Sequence, residues 1–305
     1  MRRKQFIAGR RLALLSLPFV LICGAEPSFT QSIASRQARI DAATRALESN
    51  PRYKSLSPKF RQQLMEFVAG NMLFVLLHEL GHAAVSEFDI PVLGKDEDAA
   101  DSFAATRLIK IGTEFSDEVV VNTAKGWFMA DRRDKKEGDT VPYYDEHGLD
   151  LQRAYQFVCF LVGSDEDKFK TLASETKLPK DRQYSCKGEY TRAAKAWASV
   201  LKPHLRAPDQ PKTKIDVVYG DAKGDLEVIA QAARAMLLLE RVAEHSANDF
   251  AWPVPFTLEM QSCGFPNARY DPSTHKLTVC YELGADFTEL YRSYGEPSAS
   301  NLVPK

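Results

Sequence analysis

Apolar positions recur at helical spacing over the first two-thirds of the chain. Phe60, Leu64, Phe67, Val68 and Leu76 share one such repeat, and Ser57-Pro58 before them reads as an N-cap followed by proline in the first turn. This predicts a long helix from residue 58 to about Phe88. The preceding stretch, 26–56, is polar and predicts one loosely attached helix. A loop from Asp89 to Lys95 holds Pro91 and Gly94, and Asp96-Glu97-Asp98 then opens a helix to about Ile111, with its acids where the helix dipole favours them. Further helices are predicted over 114–132, 149–162, 166–176 and 189–205, with a charged loop from Asp134 to Gly148. Trp127, Phe128, Phe157 and Phe160 fall at core positions of these helices.

After Pro203 the texture changes. Arg206 to Lys212 is a proline-containing connector, Lys214–Tyr219 and Pro255–Gln261 read as strands, and Leu226–Glu244 reads as one apolar helix. Residues 267–270 and 276–282 pair as a hairpin across Asp271-Pro272-Ser273. A short helix over 286–293 and a disordered tail over 295–305 complete the chain. The class expected is mainly α with a small C-terminal antiparallel sheet (α+β), in which a helical region 26–205 and a strand-helix-hairpin region 206–294 pack as one domain.

Residues 1–25 stand apart. Arg2, Arg3, Lys4, Arg10 and Arg11 precede an apolar run from Leu12 to Ile22, and Cys23-Gly24-Ala25 ends it with small residues. This is the layout of a secretory signal cleaved after Ala25, with an uncleaved anchor as the alternative. It places the mature chain in the periplasm or outside the cell, with no stable membrane span. Export leaves Cys159, Cys186, Cys263 and Cys280. Four cysteines in an oxidising compartment imply two disulfides, and of the three possible pairings the local one, Cys159–Cys186 with Cys263–Cys280, is expected. Lys+Arg total 40 against 41 Asp+Glu, so no basic footprint for nucleic acid exists.

The chemistry concentrates at residues 78–82, His-Glu-Leu-Gly-His. Two histidines at i and i+4 share a helix face and can grip one Zn²⁺, and Glu79 beside them can take a proton from a water on the metal. The pattern arises by chance in roughly one chain in a hundred of this size, so it needs company. Glu97 and Asp101 provide it. They too are i and i+4, and small Ala99 and Ala100 let their helix approach the first. Glu97 can serve as the third ligand, and Asp101 can accept the other ring N–H of a ligating histidine. Asp98 could share a face with Asp101, but the longer Glu97 side chain reaches further toward a metal on another helix. His147, in Tyr143-Tyr144-Asp145-Glu146-His147, is a candidate for stabilising an oxyanion, with Tyr143, Tyr144 and Arg153 as weaker ones.

These two segments resemble the gluzincin branch of zinc metallopeptidases, whose pattern is H-E-x-x-H followed by E-x-x-x-D. Phe74 to Ala83 with Pro91-Val92-Leu93-Gly94 and Glu97 to Asp101, together with Cys263-Gly264, Asn267-Ala268, Tyr270-Asp271-Pro272 and Cys280-Tyr281-Glu282, resemble the bacterial metallopeptidase family DUF4344. The resemblance implies a zincin-like helix pair, His78, His82 and Glu97 as zinc ligands, Glu79 as general base, and a peptide or protein as substrate. One feature departs from the zincin plan. A zincin sheet with a substrate-aligning edge strand precedes the motif helix, whereas here every predicted strand follows it, so the sheet is either supplied from the carboxyl end or absent. An exported zinc peptidase is therefore the expected function. A non-catalytic binding protein on the same scaffold and a zinc hydrolase of a non-peptide bond are the alternatives. A scaffold would have no need of Glu79.

Overall fold

The computed structural model describes residues 29–141 and 143–294. The expected signal segment 1–25, with Cys23, and the tail 295–305 lie outside them. The helical part comprises α1 (Phe29–Ser49), α2 (Pro58–Glu87), α3 (Asp96–Ile111), α4 (Glu114–Glu137), α5 (Asp150–Ser164), α6 (Glu166–Glu175) and α7 (Lys180–Leu201). The carboxyl part runs β1 (Ile215–Tyr219), α8 (Leu226–Met236), α9 (Leu238–Asp249), β2 (Phe256–Gln261), β3 (Ala268–Asp271), β4 (Lys276–Cys280) and α10 (Tyr281–Tyr294). The fold is mostly helix with one small sheet, an α+β arrangement.

α2 is the axis. The Ser57 hydroxyl caps it by accepting the Phe60 N–H, and Pro58 begins it. Its buried residues occupy every side of the helix, including Phe67, Met72, Phe74, Leu76, Leu80 and Ala84, the pattern of a helix surrounded by protein. α3, α4, α8, α9, α10, β3 and β4 all pack on it. By length and composition it could cross a membrane, but 78% of its most apolar window is buried within the fold, so its apolar surface is used as core. α1 is bound more firmly than its polar sequence implies: Ile40, Ala43 and Leu47 are buried, and the helix packs on α2 and α8.

The sheet is mixed rather than antiparallel, which corrects the expectation. Its order is β1-β2-β4-β3, with β1–β2 and β2–β4 parallel and only the β3–β4 hairpin antiparallel. The α8–α9 pair makes the crossover that a parallel β1–β2 pairing requires. The segment predicted as one helix over 226–244 is two, because Leu237 adopts a left-handed conformation (φ 54°) and its N–H closes α8 on Ala233 and Arg234. That conformation costs about 1 kcal/mol or more in a non-glycine residue. It redirects the chain, so that α8 packs on α1 and α10 while α9 packs on β1 and β2. α7 starts nine residues before the predicted start, and α10 five before.

Disulfides join Cys159 to Cys186, clamping α5 to α7, and Cys263 to Cys280, tying the loop after β2 to the end of β4. Both are the expected local pairings, and they fit a chain that matures in an oxidising, extracellular setting.

Candidate metal centre

The site forms where α2 and α3 touch. Gly81 permits the contact: a Cβ there would lie 3.1 Å from the Ala100 Cα and 3.2 Å from the Phe103 ring. With Ala100 fully buried opposite, the Glu97–Asp101 face of α3 comes directly against the His78–His82 face of α2. His78 Nδ1 donates to Asp101 Oδ1 at 2.8 Å, and its Nε2 lies 3.0 Å from Glu97 Oε2. His82 Nε2 is 3.2 Å from His78 Nε2 and 3.4 Å from Glu97 Oε1. Glu97 faces the histidines while Asp98, one residue on, is exposed, as the roughly 100° turn per residue of a helix requires.

These contacts place acceptor against acceptor. With Nδ1–H committed to Asp101, the neutral His78 ring has its lone pair on Nε2, aimed at a carboxylate oxygen and at another imidazole nitrogen. Such a cluster calls for a cation at its centre, either a proton or a metal. In the chain alone a proton serves. Burial opposes it, but the bonds to Asp101 and Glu97 outweigh burial and raise His78 to about 9. Glu97 is held far below the usual carboxylate range, because bonds to His147, His78 and His82 outweigh its own burial. Two imidazole nitrogens and a carboxylate are a donor set that suits Zn²⁺. Their 3.0–3.4 Å spacing is close to the roughly 3.3 Å expected between ligand atoms of a tetrahedral ion with bonds of about 2.0–2.1 Å.

Behind the cluster stands a second layer. Buried Arg153 of α5 donates through Nε and Nη2 to the two oxygens of Asp101, both at 2.8 Å, and its guanidinium lies 3.7 Å from the centre of the Trp127 ring. Although burial favours the neutral acid, Arg153 and His78 keep Asp101 ionised. Arg153, a weak sequence candidate for an oxyanion role, thus has these nitrogens committed to Asp101. Tyr143 and Tyr144 are 81% and 91% exposed and do not line the cleft. His147 does line it. Its Nε2 is 3.0 Å from Glu97 Oε2, and its Nδ1 is 2.9 Å from Asp145.

Glu79 is buried, and burial raises its carboxyl above the ordinary range despite the nearby histidines. The backbone N–H of Tyr270 lies near it and favours the ionised form, which brings in the sheet. The Cys280 N–H bonds the Asn267 carbonyl, so by antiparallel alternation residues 269 and 271 face β4, while the N–H and C=O groups of 268 and 270 face outward. β3 is therefore an edge strand with its free edge toward the motif helix. Tyr270 and His275 both bond Glu87 near the end of α2 and fix the hairpin there. A cleft of about 640 Å³ runs past Glu79, His82, Glu97, His147 and β3, and continues between α2, α4 and α10 over Phe74, Trp127 and Phe287.

Several of these parts were not read from the sequence. Asp145, two residues before His147, is the one with a local signal, a carboxylate spaced to hold an imidazole. The roles of Arg153, Trp127 and Tyr270 depend on contacts across 20 or more residues and leave no local mark.

A helix pair presenting histidines and a carboxylate to one point forms a candidate metal site. The chain belongs to the family DUF4344, described as "Putative metallopeptidase", whose model matches residues 31–201 and 221–303. Comparison with curated proteins found no match, and comparison with solved structures found none either.

Proposed function

We propose that this protein is an exported zinc-dependent peptidase of the gluzincin type, in which His78, His82 and Glu97 hold the metal. The observation that carries the reading is the convergence of those three donor groups within 3.0–3.4 Å at the floor of a cleft. When bound, Zn²⁺ supplies a Lewis acid that polarises a carbonyl and lowers the pKa of a water to about 7. The chain's own groups do the rest. Glu79, with its carboxyl raised by burial, takes the proton of the attacking water and hands it to the leaving amine. The outward N–H and C=O of Ala268 offer an extended peptide a strand to pair with, so the sheet that a zincin carries ahead of its motif helix is here supplied from the carboxyl end. His147, at the mouth of the site, is the imidazole that serves the developing oxyanion. Export accords with the two disulfides.

The test has two parts. Elemental analysis of the purified chain after expression with zinc should find about one equivalent, strongly reduced in His82→Ala; no transition metal in the wild type would end the reading. Glu79→Gln should keep the metal and lose hydrolysis of a peptide library, and unchanged turnover would remove Glu79 as the base. A non-catalytic zincin scaffold would give metal without cleavage in either protein.

A further inference from the structure

The His147 imidazole is set in the same manner as that of His78. In each ring Nδ1 is held by a carboxylate, Asp101 at 2.8 Å for His78 and Asp145 at 2.9 Å for His147. In each, Nε2 lies 3.0 Å from the same oxygen, Glu97 Oε2. The two rings are nearly parallel, 19° apart with centroids separated by 6.4 Å. One donor atom from each of His78, Glu97 and His147 falls within 4.8 Å of the others. A carboxylate on the far ring nitrogen is how ligating histidines are oriented, and 3.0 Å is close to the spacing of two ligand atoms on one metal.

We infer that His147 Nε2 is itself a ligand of the metal in the resting protein, so that a residue on a surface loop closes the site. This rests on the metal reading above and adds regulation to it. The contrast in anchoring is what makes His147 a removable ligand. His78 is buried on the central helix. The His147 side chain is 48% exposed, and its loop is tied down by exposed hydrogen bonds from Lys95 Nζ to the carbonyls of Asp145 and His147. Tyr143 and Tyr144, earlier in the same loop, are exposed as well. Contacts of that kind open at little cost. The loop at 143–147 thus covers the centre, and release of His147 Nε2 from the metal opens a position for a substrate carbonyl and frees the imidazole for the oxyanion role.

Zinc-edge X-ray absorption on zinc-loaded wild type and His147→Ala, with visible spectra of the same two proteins loaded with Co²⁺, tests this without recourse to activity. The expected result is three imidazoles in the wild type and two in the variant, together with a shift of the Co²⁺ bands. The variant should still bind one zinc, about tenfold or more weakly. Equal imidazole counts and superimposable Co²⁺ spectra would overturn the inference and leave the His78–His82–Glu97 site standing. A wild-type chain that takes up no metal would overturn both. Should His147→Ala prove unstable, the wild-type count alone decides, since two imidazoles there would exclude His147.

Discussion

Replacing Asp101 with alanine separates what holds the fold from what holds the metal. The two Asp101 oxygens accept three hydrogen bonds of 2.8 Å, two from Arg153 and one from His78 Nδ1, and both Asp101 and Arg153 are buried. Alanine leaves the guanidinium buried without a counter-ion, and breaking a buried pair from one side costs about 3–5 kcal/mol. In a chain of this size each kcal/mol lowers Tm by roughly 2–4 °C, so a fall of about 10 °C is expected. The same change frees the His78 ring to rotate, and zinc affinity should drop about 10–100-fold. Removing both charges distinguishes the two effects. Asp101→Leu combined with Arg153→Met leaves no stranded guanidinium, and most of the lost stability should return, short of what His78 loses with its Asp101 acceptor. Zinc affinity should stay low, because His78 still lacks its acceptor. The assays are thermal unfolding at pH 7 in a chelator, so that bound metal does not contribute to Tm, and competition for zinc against a chromophoric chelator. A double variant as unstable as Asp101→Ala would refute the buried-pair argument. One that binds zinc as the wild type does would refute the orienting role of Asp101.

Glu97→Ala should lose most zinc affinity while Asp98→Ala changes little, since only Glu97 faces the histidines; a competition titration giving the reverse order would place the ligand on the wrong acid. Asp101 and Glu97 raise His78 from 6.5 to about 9 against the pull of burial. The resulting stability of the metal-free chain is therefore fully present below pH 6.5 and lost as pH rises through about 9. Its Tm should fall between pH 7 and 9, and zinc uptake at pH 7 should release about one proton from this ring, read as a buffer-dependent heat in calorimetry; a flat Tm with no buffer dependence would contradict the arrangement. Gly81→Leu should force α3 away from α2 and cost about 3 kcal/mol, with zinc affinity falling because Glu97 and Asp101 move with the helix; wild-type zinc binding in that variant would show that the close approach at Ala100 does not set the site.

What the residues determined by themselves is what nearest neighbours decide. Ser57-Pro58 starts α2 because a hydroxyl acceptor and a preset φ suit a helix terminus wherever it lies. His78 and His82 share a face, as do Glu97 and Asp101, because four residues make about one helical turn. The turn-rich Asp271-Pro272-Ser273 closes the β3–β4 hairpin, and both disulfides link nearby cysteines. The remaining features depend on which surfaces meet. β2 lies beside β4 rather than β3, and parallel to it, because the hairpin packs on α2 with β3 at the edge; alternation within a strand says nothing about its partner. The break at Leu237 carries no glycine or proline to announce it, and follows from two helices packing on different neighbours. Arg153 reads from the sequence as a weaker oxyanion candidate and becomes the support of Asp101 only when α5 lies behind α3. Glu79 acquires its raised carboxyl in the same way, from burial in the folded chain, which outweighs the nearby histidines and the Tyr270 N–H nearly two hundred residues later. A side chain's spacing along its own helix is a local property, but its charge state and its partner belong to the elements that close over it.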